Sequence, residues 1–400
     1  MTGHSRRHRD DGHDRMTAPS VQCYSRFTRI LLLARYSLAF FVNYLKERRP
    51  LSLLFPAWNR YRRSWFEHQL EVEEFFVSRL WRPQLDDNQA LSFIGWRKHA
   101  QVLLALNPLQ YRCVTGNKLV FHNYCTSINL PVPKLLGVFD RTLKDAYGVR
   151  VFNSAERLRQ YLSANSIESI IIKPIEGTRG QSILALDLRR DGGHFRLPNG
   201  DPVSDTEIEN ALSQYSYRGA EQTGFLVQVR LLPAESTLGL SSICPLSYRA
   251  ITLTDHKGHC SIIMIYAKSA TGRNIADNFE AGGLVCIVDS NGMCVGARSK
   301  MSGTELLELH PTTSFRLKGW QPPKFEEVAD LALRAAAAFH FLKCIAWDIA
   351  VAREGVFLLE GNNPWSWRSQ EDLDQGLWKG AFEREAKLAI AKGPSKSPWW

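Results

Sequence analysis

CIAWDIAVAREGVFLLEGNNPW, residues 344–365, decides the fold. Its run Val356-Phe357-Leu358-Leu359 is apolar without interruption and short, which fits a buried strand. Arg353-Glu354-Gly355 supplies a three-residue hairpin loop, with glycine where a left-handed backbone is required. That register sets Asp348 directly across from Glu360, and alternation along an extended strand brings Asn362 to the same face as Glu360. Three oxygen-bearing side chains thus converge on one side of a rigid element. Two carboxylates placed face to face repel. A hard cation such as magnesium, or manganese in its place, relieves the repulsion and takes its remaining oxygens from water and phosphate. Asp348, Glu360 and Asn362 are therefore the candidate metal ligands, with a pair of solvated edge carboxylates as the plainer alternative.

A phosphate-binding partner for that hairpin lies upstream. Lys173 ends the isoleucine-rich strand 169–173, so its ammonium is fixed at the mouth of a buried sheet, and a second strand follows over 182–188. Between them, Pro174-Ile175-Glu176-Gly177-Thr178-Arg179-Gly180-Gln181 is a glycine-containing turn. Gly177 and Gly180 permit close backbone approach, Thr178 and Ser182 offer hydroxyls, and Arg179 adds charge. With Glu176, this loop is a candidate lid over phosphates. It is not a Walker loop, because the GK[ST] ending is absent and no helix follows. Strand leads to strand, so it is not a Rossmann turn either.

Strands are also expected near 134–138, 224–231, 248–253, 261–267 and 284–289, with helices over 154–164 and 324–341. They mix without strict βαβ alternation, which favours an α+β architecture. The organisation read from the chain is a disordered basic tail over 1–20, a mainly helical region over 21–110, and two further parts over 111–235 and 236–392. Trp58, Tyr61, Trp65, Phe66, Phe75 and Phe76 fall near helical spacing and are read as core.

The net charge is +10, but residues 1–63 hold 13 Lys/Arg against 4 Asp/Glu, leaving only +1 for the remaining 337 residues. Basicity confined to one end argues against a nucleic-acid enzyme, which carries positive charge around its catalytic body. Eight scattered cysteines without a CxxC pair read as reduced thiols of a cytoplasmic protein. Residues 27–50 are apolar but interrupted by Arg35 and closed by Lys46, Arg48 and Arg49. An amphipathic helix packed on the body is the first reading, and peripheral contact with an anionic membrane surface is the second.

Taken in order, Asn117-Lys118, Lys173-Pro174 with its glycine loop, Leu226-Val227-Gln228-Val229, Arg249 and Asp348…Glu360-Gly361-Asn362 resemble the ATP-grasp superfamily over roughly residues 110–370. The runs Asp277-Asn278-Phe279-Glu280-Ala281-Gly282-Gly283 and Glu360-Gly361-Asn362-Asn363-Pro364-Trp365 resemble its sugar-transfer associated, glutamate-ligase-related branch. The resemblance implies two α+β subdomains clamping Mg-ATP, with Lys118 and Lys173 on the phosphates. It implies Val227, Gln228 and Val229 as the hinge that binds adenine, Glu235 on the ribose, and Asp348, Glu360 and Asn362 on magnesium. Arg249 and Lys268 would act as catalytic cations on the transferring phosphate. The implied activity is ADP-forming ligation of a small-molecule carboxylate to an amine through an acyl phosphate. A phosphotransferase on a non-carboxylate acceptor and a non-catalytic scaffold remain as alternatives.

Overall fold

The computed structural model describes residues 26–46, 50–142, 148–177, 183–188, 194–214, 216–217, 220–221, 224–279, 282–289, 291–300 and 305–393. The tail 1–20, Thr178, Gly180, Arg179, Gln181 and Ser182, the basic pair Arg48-Arg49, and Glu280-Ala281 lie outside the described residues. The chain divides into two compact units, one of 1–106 with 366–400 and one of 107–365.

The first unit is helical: α1 (Arg26–Lys46), α2 (Leu54–His68), α3 (Val72–Val77), α4 (Asp87–Leu91) and α5 (Trp96–Leu106). Aromatic side chains at helical spacing give it a core. The Phe40 ring stacks on Tyr61 with centroids 5.1 Å apart, and Trp58, Phe75 and Phe76 surround it. Phe66, expected in this core, is exposed instead. It lies one residue beyond buried Trp65, and a one-residue step turns a helical side chain by about 100°.

The second unit opens with α6 (Arg112–Gly116) and α7 (Lys118–Ser127). Then come β1 (Leu135–Phe139), β2 (Val151–Phe152), α8 (Ala155–Ala164), β3 (Ser169–Pro174), β4 (Leu184–Leu188), β5 (Phe195–Arg196), β6 (Pro202–Val203) and α9 (Asp205–Ser213). A short ribbon, β7 (Ser216–Tyr217) and β8 (Ala220–Glu221), precedes β9 (Phe225–Val229). Seven of these strands form one sheet in the order β2-β1-β9-β3-β4-β5-β6, antiparallel except for the β1–β2 pair. Leu158 and Leu162 of α8 and Ile208 and Leu212 of α9 share a core with Ile170, Ile172 and Leu186 of this sheet.

A second, six-stranded antiparallel sheet contains β10 (Leu246–Thr254), β11 (Cys260–Ser269), β12 (Leu284–Val288), β13 (Cys294–Ser299), β14 (Cys344–Ala352) and β15 (Gly355–Asn362), in the order β13-β12-β11-β10-β14-β15. The helix α10 (Phe325–Ala338) packs on it, and its small Ala332 and Ala335 share a core with Ile345, Trp347, Ile349 and Val351 of β14. Alternation then sends Ala346, Asp348 and Ala350 to the other face. The chain returns to the first unit with α11 (Ser369–Leu373) and α12 (Gly380–Ala391). There Gln370 accepts from Ile94 N and donates back to its carbonyl, both at 3.1 Å. The compact unit that bears the hairpin comprises residues 107–365.

The hairpin register is as expected at the site but is reached differently. Asp348 pairs with Glu360 and Ala346 with Asn362, whereas Ala352 pairs with Gly355. The turn thus holds two residues, Arg353 and Glu354, with Gly355 at φ 141°. The extra residue sits as a β-bulge between the pairs Asp348–Glu360 and Ile349–Leu358. Gly361 lies across from Trp347, where a Cβ would meet the indole at 2.8 Å, so a larger residue would push the hairpin off that ring.

Candidate active site

Lys118 is set in place by the start of α7. Asn117 caps that helix, its Oδ1 accepting from Leu119 N at 3.1 Å and Val120 N at 3.0 Å. The Lys118 amide, left over by the first turn, donates to Ile175 O at 2.9 Å, and its Nζ donates to Gly177 O at 2.9 Å. The helix start is thus tied to the chain just beyond β3, the strand that carries Lys173. Burial and the neighbouring Lys118 charge lower the Lys173 pKa to about 8, while Glu360 on the other sheet pulls it back up. Lys118 and Glu360 thus both bear on the charge of Lys173, and an anionic ligand would relieve the two cations.

Asp348 sits at the centre of the second half. Arg249, its register partner on β10, donates from Nε to Oδ1 at 2.9 Å and from Nη2 to Oδ2 at 2.6 Å. Lys268 on β11 approaches Oδ1 at 3.3 Å, and Asn362 Nδ2 donates to Oδ2 at 3.2 Å. Burial works against the charged carboxylate, but Arg249 and then Lys268 outweigh it and hold Asp348 below the usual carboxylate range. Burial likewise opposes the charge of Arg249, yet Asp348 lifts its pKa well above the ordinary value. The expected catalytic cations, Arg249 and Lys268, thus meet the expected metal ligand in one cluster.

Asp277 and Ser247 complete that cluster and were not read as site residues. Lys268 Nζ contacts Asp277 Oδ1 at 3.2 Å, and the Ser247 hydroxyl bonds the other oxygen of the same carboxylate. Burial opposes the Lys268 charge, and Asp277 followed by Asp348 raises its pKa above the ordinary lysine value. The run 277–283 carries a family resemblance and contains Asp277. An unassigned acid inside it was the available signal. Asn107 is a second unread support: its Nδ2 donates to Cys344 O at 2.7 Å and Asn363 Oδ1 at 2.8 Å, and its Oδ1 accepts from Cys344 N at 2.9 Å. It fastens the start of β14 to the end of β15.

The implied hinge needs correction. Val227 and Gln228 are buried in the middle of β9, which is paired on both sides, with β1 and with β3. Gln228 Nε2 donates to Pro133 O at 3.2 Å, and Val229 N is taken by Lys134 O at 2.9 Å. A central strand has no free edge to offer a purine. Glu235 is exposed in the short turn Glu235–Thr237, and Glu176 is exposed beside Gly177.

The oxygen set fits a hard cation. Glu360 lies across from Asp348 in the hairpin register, and a cation between two facing carboxylates would relieve their repulsion. Asn362 spends its Nδ2 on Ala346 O and Asp348, which directs its amide oxygen elsewhere. Among the described residues, no group of three His, Cys, Asp or Glu is clustered as a metal site, so any site here must use the amide and non-protein oxygens.

The sequence profile of the family described as sugar-transfer associated ATP-grasp matches residues 97–380. Among solved structures, the chain is similar to D-alanyl-alanine synthetase A from Vibrio cholerae, at 12% identity over 71% of this chain and 66% of that one, with a TM-score of 0.39. It is similar to a D-cycloserine synthetase at 14% identity over 72% and 73%, TM-score 0.38. For N5-carboxyaminoimidazole ribonucleotide synthetase from Thermotoga maritima the figures are 8% identity over 69% and 49%, TM-score 0.35. The chain thus spans 49% of the length of the N5-carboxyaminoimidazole ribonucleotide synthetase and 66% of that of the D-alanyl-alanine synthetase. No curated protein matches it. With a profile match over more than half its length, the chain belongs to the sugar-transfer associated ATP-grasp family.

Proposed function

We propose that this chain is an ADP-forming ligase that joins a small-molecule carboxylate to an amine, with Mg-ATP as the energy source. The observation that carries this reading is the Lys118–Lys173 pair facing Glu360, on the acidic hairpin that also holds Asp348. One cation at the end of β3 and another at the start of α7, with two acids on the hairpin of the other sheet, suit a polyphosphate with its metal.

Lys118 and Lys173 would hold the phosphates from the first sheet, their ammonium groups fixed by the end of β3 and the start of α7. Asp348, Glu360 and Asn362 would hold magnesium, which would supply positive charge to neutralise the phosphates. The acceptor carboxylate oxygen attacks the γ-phosphorus, the bond to the β–γ bridging oxygen breaks, and ADP leaves. Arg249 and Lys268 stand beside that hairpin to stabilise the charge that develops. The amine then attacks the acyl carbon, inorganic phosphate departs, and the amine nitrogen loses a proton. The protein's work is positioning and electrostatics.

The test is an ADP-release screen of carboxylates paired with amines, run with and without hydroxylamine. Hydroxamate formation with amine-dependent ADP release supports the ligase. Release of ADP with a phosphorylated product stable to hydroxylamine would assign a phosphotransferase instead.

A further inference from the structure

Among its described side chains, the helix α1 has one apolar face that is buried and another that is exposed. Phe40 and Tyr44 turn inward, and Tyr36 packs on Trp65 with centroids 5.1 Å apart. Leu38, Val42 and Leu45 recur at i, i+4 and i+7 on another face of the same helix, where Leu38 is 68% and Leu45 60% exposed. Just beyond the helix, Leu51 is 70% and Phe55 77% exposed. Scattered exposed leucines are ordinary, but an exposed helical stripe followed in the chain by two more large exposed apolar residues is not.

The charge around this stripe narrows what covers it. Arg35 and Lys46 on α1 are exposed, and the sequence to residue 63 holds 13 Lys/Arg against 4 Asp/Glu. A second copy of the chain would bring the same basic segment against itself, which is repulsive. A nucleic acid would engage the cations but gain nothing from leucines and phenylalanine. Apolar residues flanked by cations on a helix lying flat match the boundary of an anionic bilayer, where side chains enter the acyl region and cations meet headgroups. Among the described residues, no helix is long and apolar enough to cross a membrane, which is consistent with α1 resting on a surface.

We propose that the face formed by Leu38, Val42, Leu45, Leu51 and Phe55 docks the protein peripherally on an anionic lipid surface, with Arg35 and Lys46 pairing with its headgroups. This inference does not rest on the ligase reading.

Co-sedimentation of the full chain tests it, using phosphatidylcholine vesicles with and without about a third phosphatidylglycerol. The expected result is binding to the anionic vesicles at least about tenfold stronger than to neutral ones, weakening as salt rises. The L38S/L45S/F55S variant, with unchanged circular dichroism and thermal midpoint, is expected to lose binding about tenfold or more. Should that variant misfold, R35E/K46E serves instead, with the same loss expected on anionic vesicles only. Three outcomes would overturn the proposal: no binding of the wild type to anionic vesicles, equal binding of wild type and a folded variant, or a wild-type dimer by light scattering that the apolar variant dissolves.

Discussion

Arg249 grips Asp348 across neighbouring strands with two hydrogen bonds, Nε to Oδ1 at 2.9 Å and Nη2 to Oδ2 at 2.6 Å. The pair is buried enough that removing one charge strands the other. Asp348→Asn leaves Arg249 and Lys268 without their shared anion, so it is expected to cost about 3 kcal/mol in stability. The sign of the pH dependence follows from the depressed Asp348 pKa. Its contribution is fully present above the ordinary aspartate value and is lost as pH falls through the folded one, so the deficit is full at pH 7 and narrows in acid. Urea unfolding at pH 7 and at acid pH measures both.

Glu360→Gln separates metal binding from folding. Glu360 is half-buried and Asp348 keeps its cations without it. We expect stability within about 1 kcal/mol of wild type, with ADP formation down about a thousandfold. Parallel unfolding and coupled ADP assays check this.

On the proposed function, Lys173 makes nucleotide binding pH-dependent. Its folded pKa, lowered to about 8, means that the folded chain binds fewer protons than the unfolded one between there and the ordinary lysine value. Stability therefore rises with pH across that window. Phosphate contact needs the charged form, so affinity for Mg-ATP should fall as pH rises above about 8, by up to about tenfold per pH unit. Lys173→Arg, charged throughout, should flatten that profile, and Lys173→Met should raise the thermal midpoint while losing nucleotide binding. Titration calorimetry from pH 7 to 9.5 and a melting scan read these effects.

How much of this was legible in the sequence differs residue by residue. The pairing of Asp348 with Glu360 was readable because hairpin register depends on the total residues between the two positions. Gly355, expected in the turn, pairs with Ala352, and a bulge at Leu359 makes up the difference, so the count is unchanged. The buried strand β3 announced itself through Ile170, Ile171 and Ile172. Asp277 did not, because its meaning comes from Lys268 and Ser247 on two other strands, and no local pattern encodes that meeting. The misplaced hinge has a similar cause. Leu226-Val227-Gln228-Val229 looks the same in sequence whether its backbone is free or paired on both sides, and only the sheet order reveals a central strand. Lys118 was found by resemblance alone, since a lysine at a helix start carries no signal until Ile175 and Gly177 stand beside it.

Asp277→Asn should lower kcat about tenfold or more, since hydrogen bonds to charged groups contribute about 1.5–3 kcal/mol. The amide can still meet Ser247 but no longer balances Lys268. A kcat loss with little change in the KM for ATP would mark Asp277 as a residue that positions Lys268; a KM effect alone would contradict that role.

Asn107→Ala should cost about 2–4 kcal/mol, because it strands the Cys344 amide and carbonyl in the interior. Denaturant unfolding reads it directly.

The central claim is that the lysine pair and the acidic hairpin together form one Mg-ATP site. Calorimetric titration of Mg-ATP into the wild type, Lys173→Met and Glu360→Gln tests it most directly. The account predicts one site in the wild type, with affinity reduced about a hundredfold or more in each variant while both stay folded. Wild-type protein that binds no Mg-ATP, or folded variants that bind it as tightly as the wild type, would contradict it.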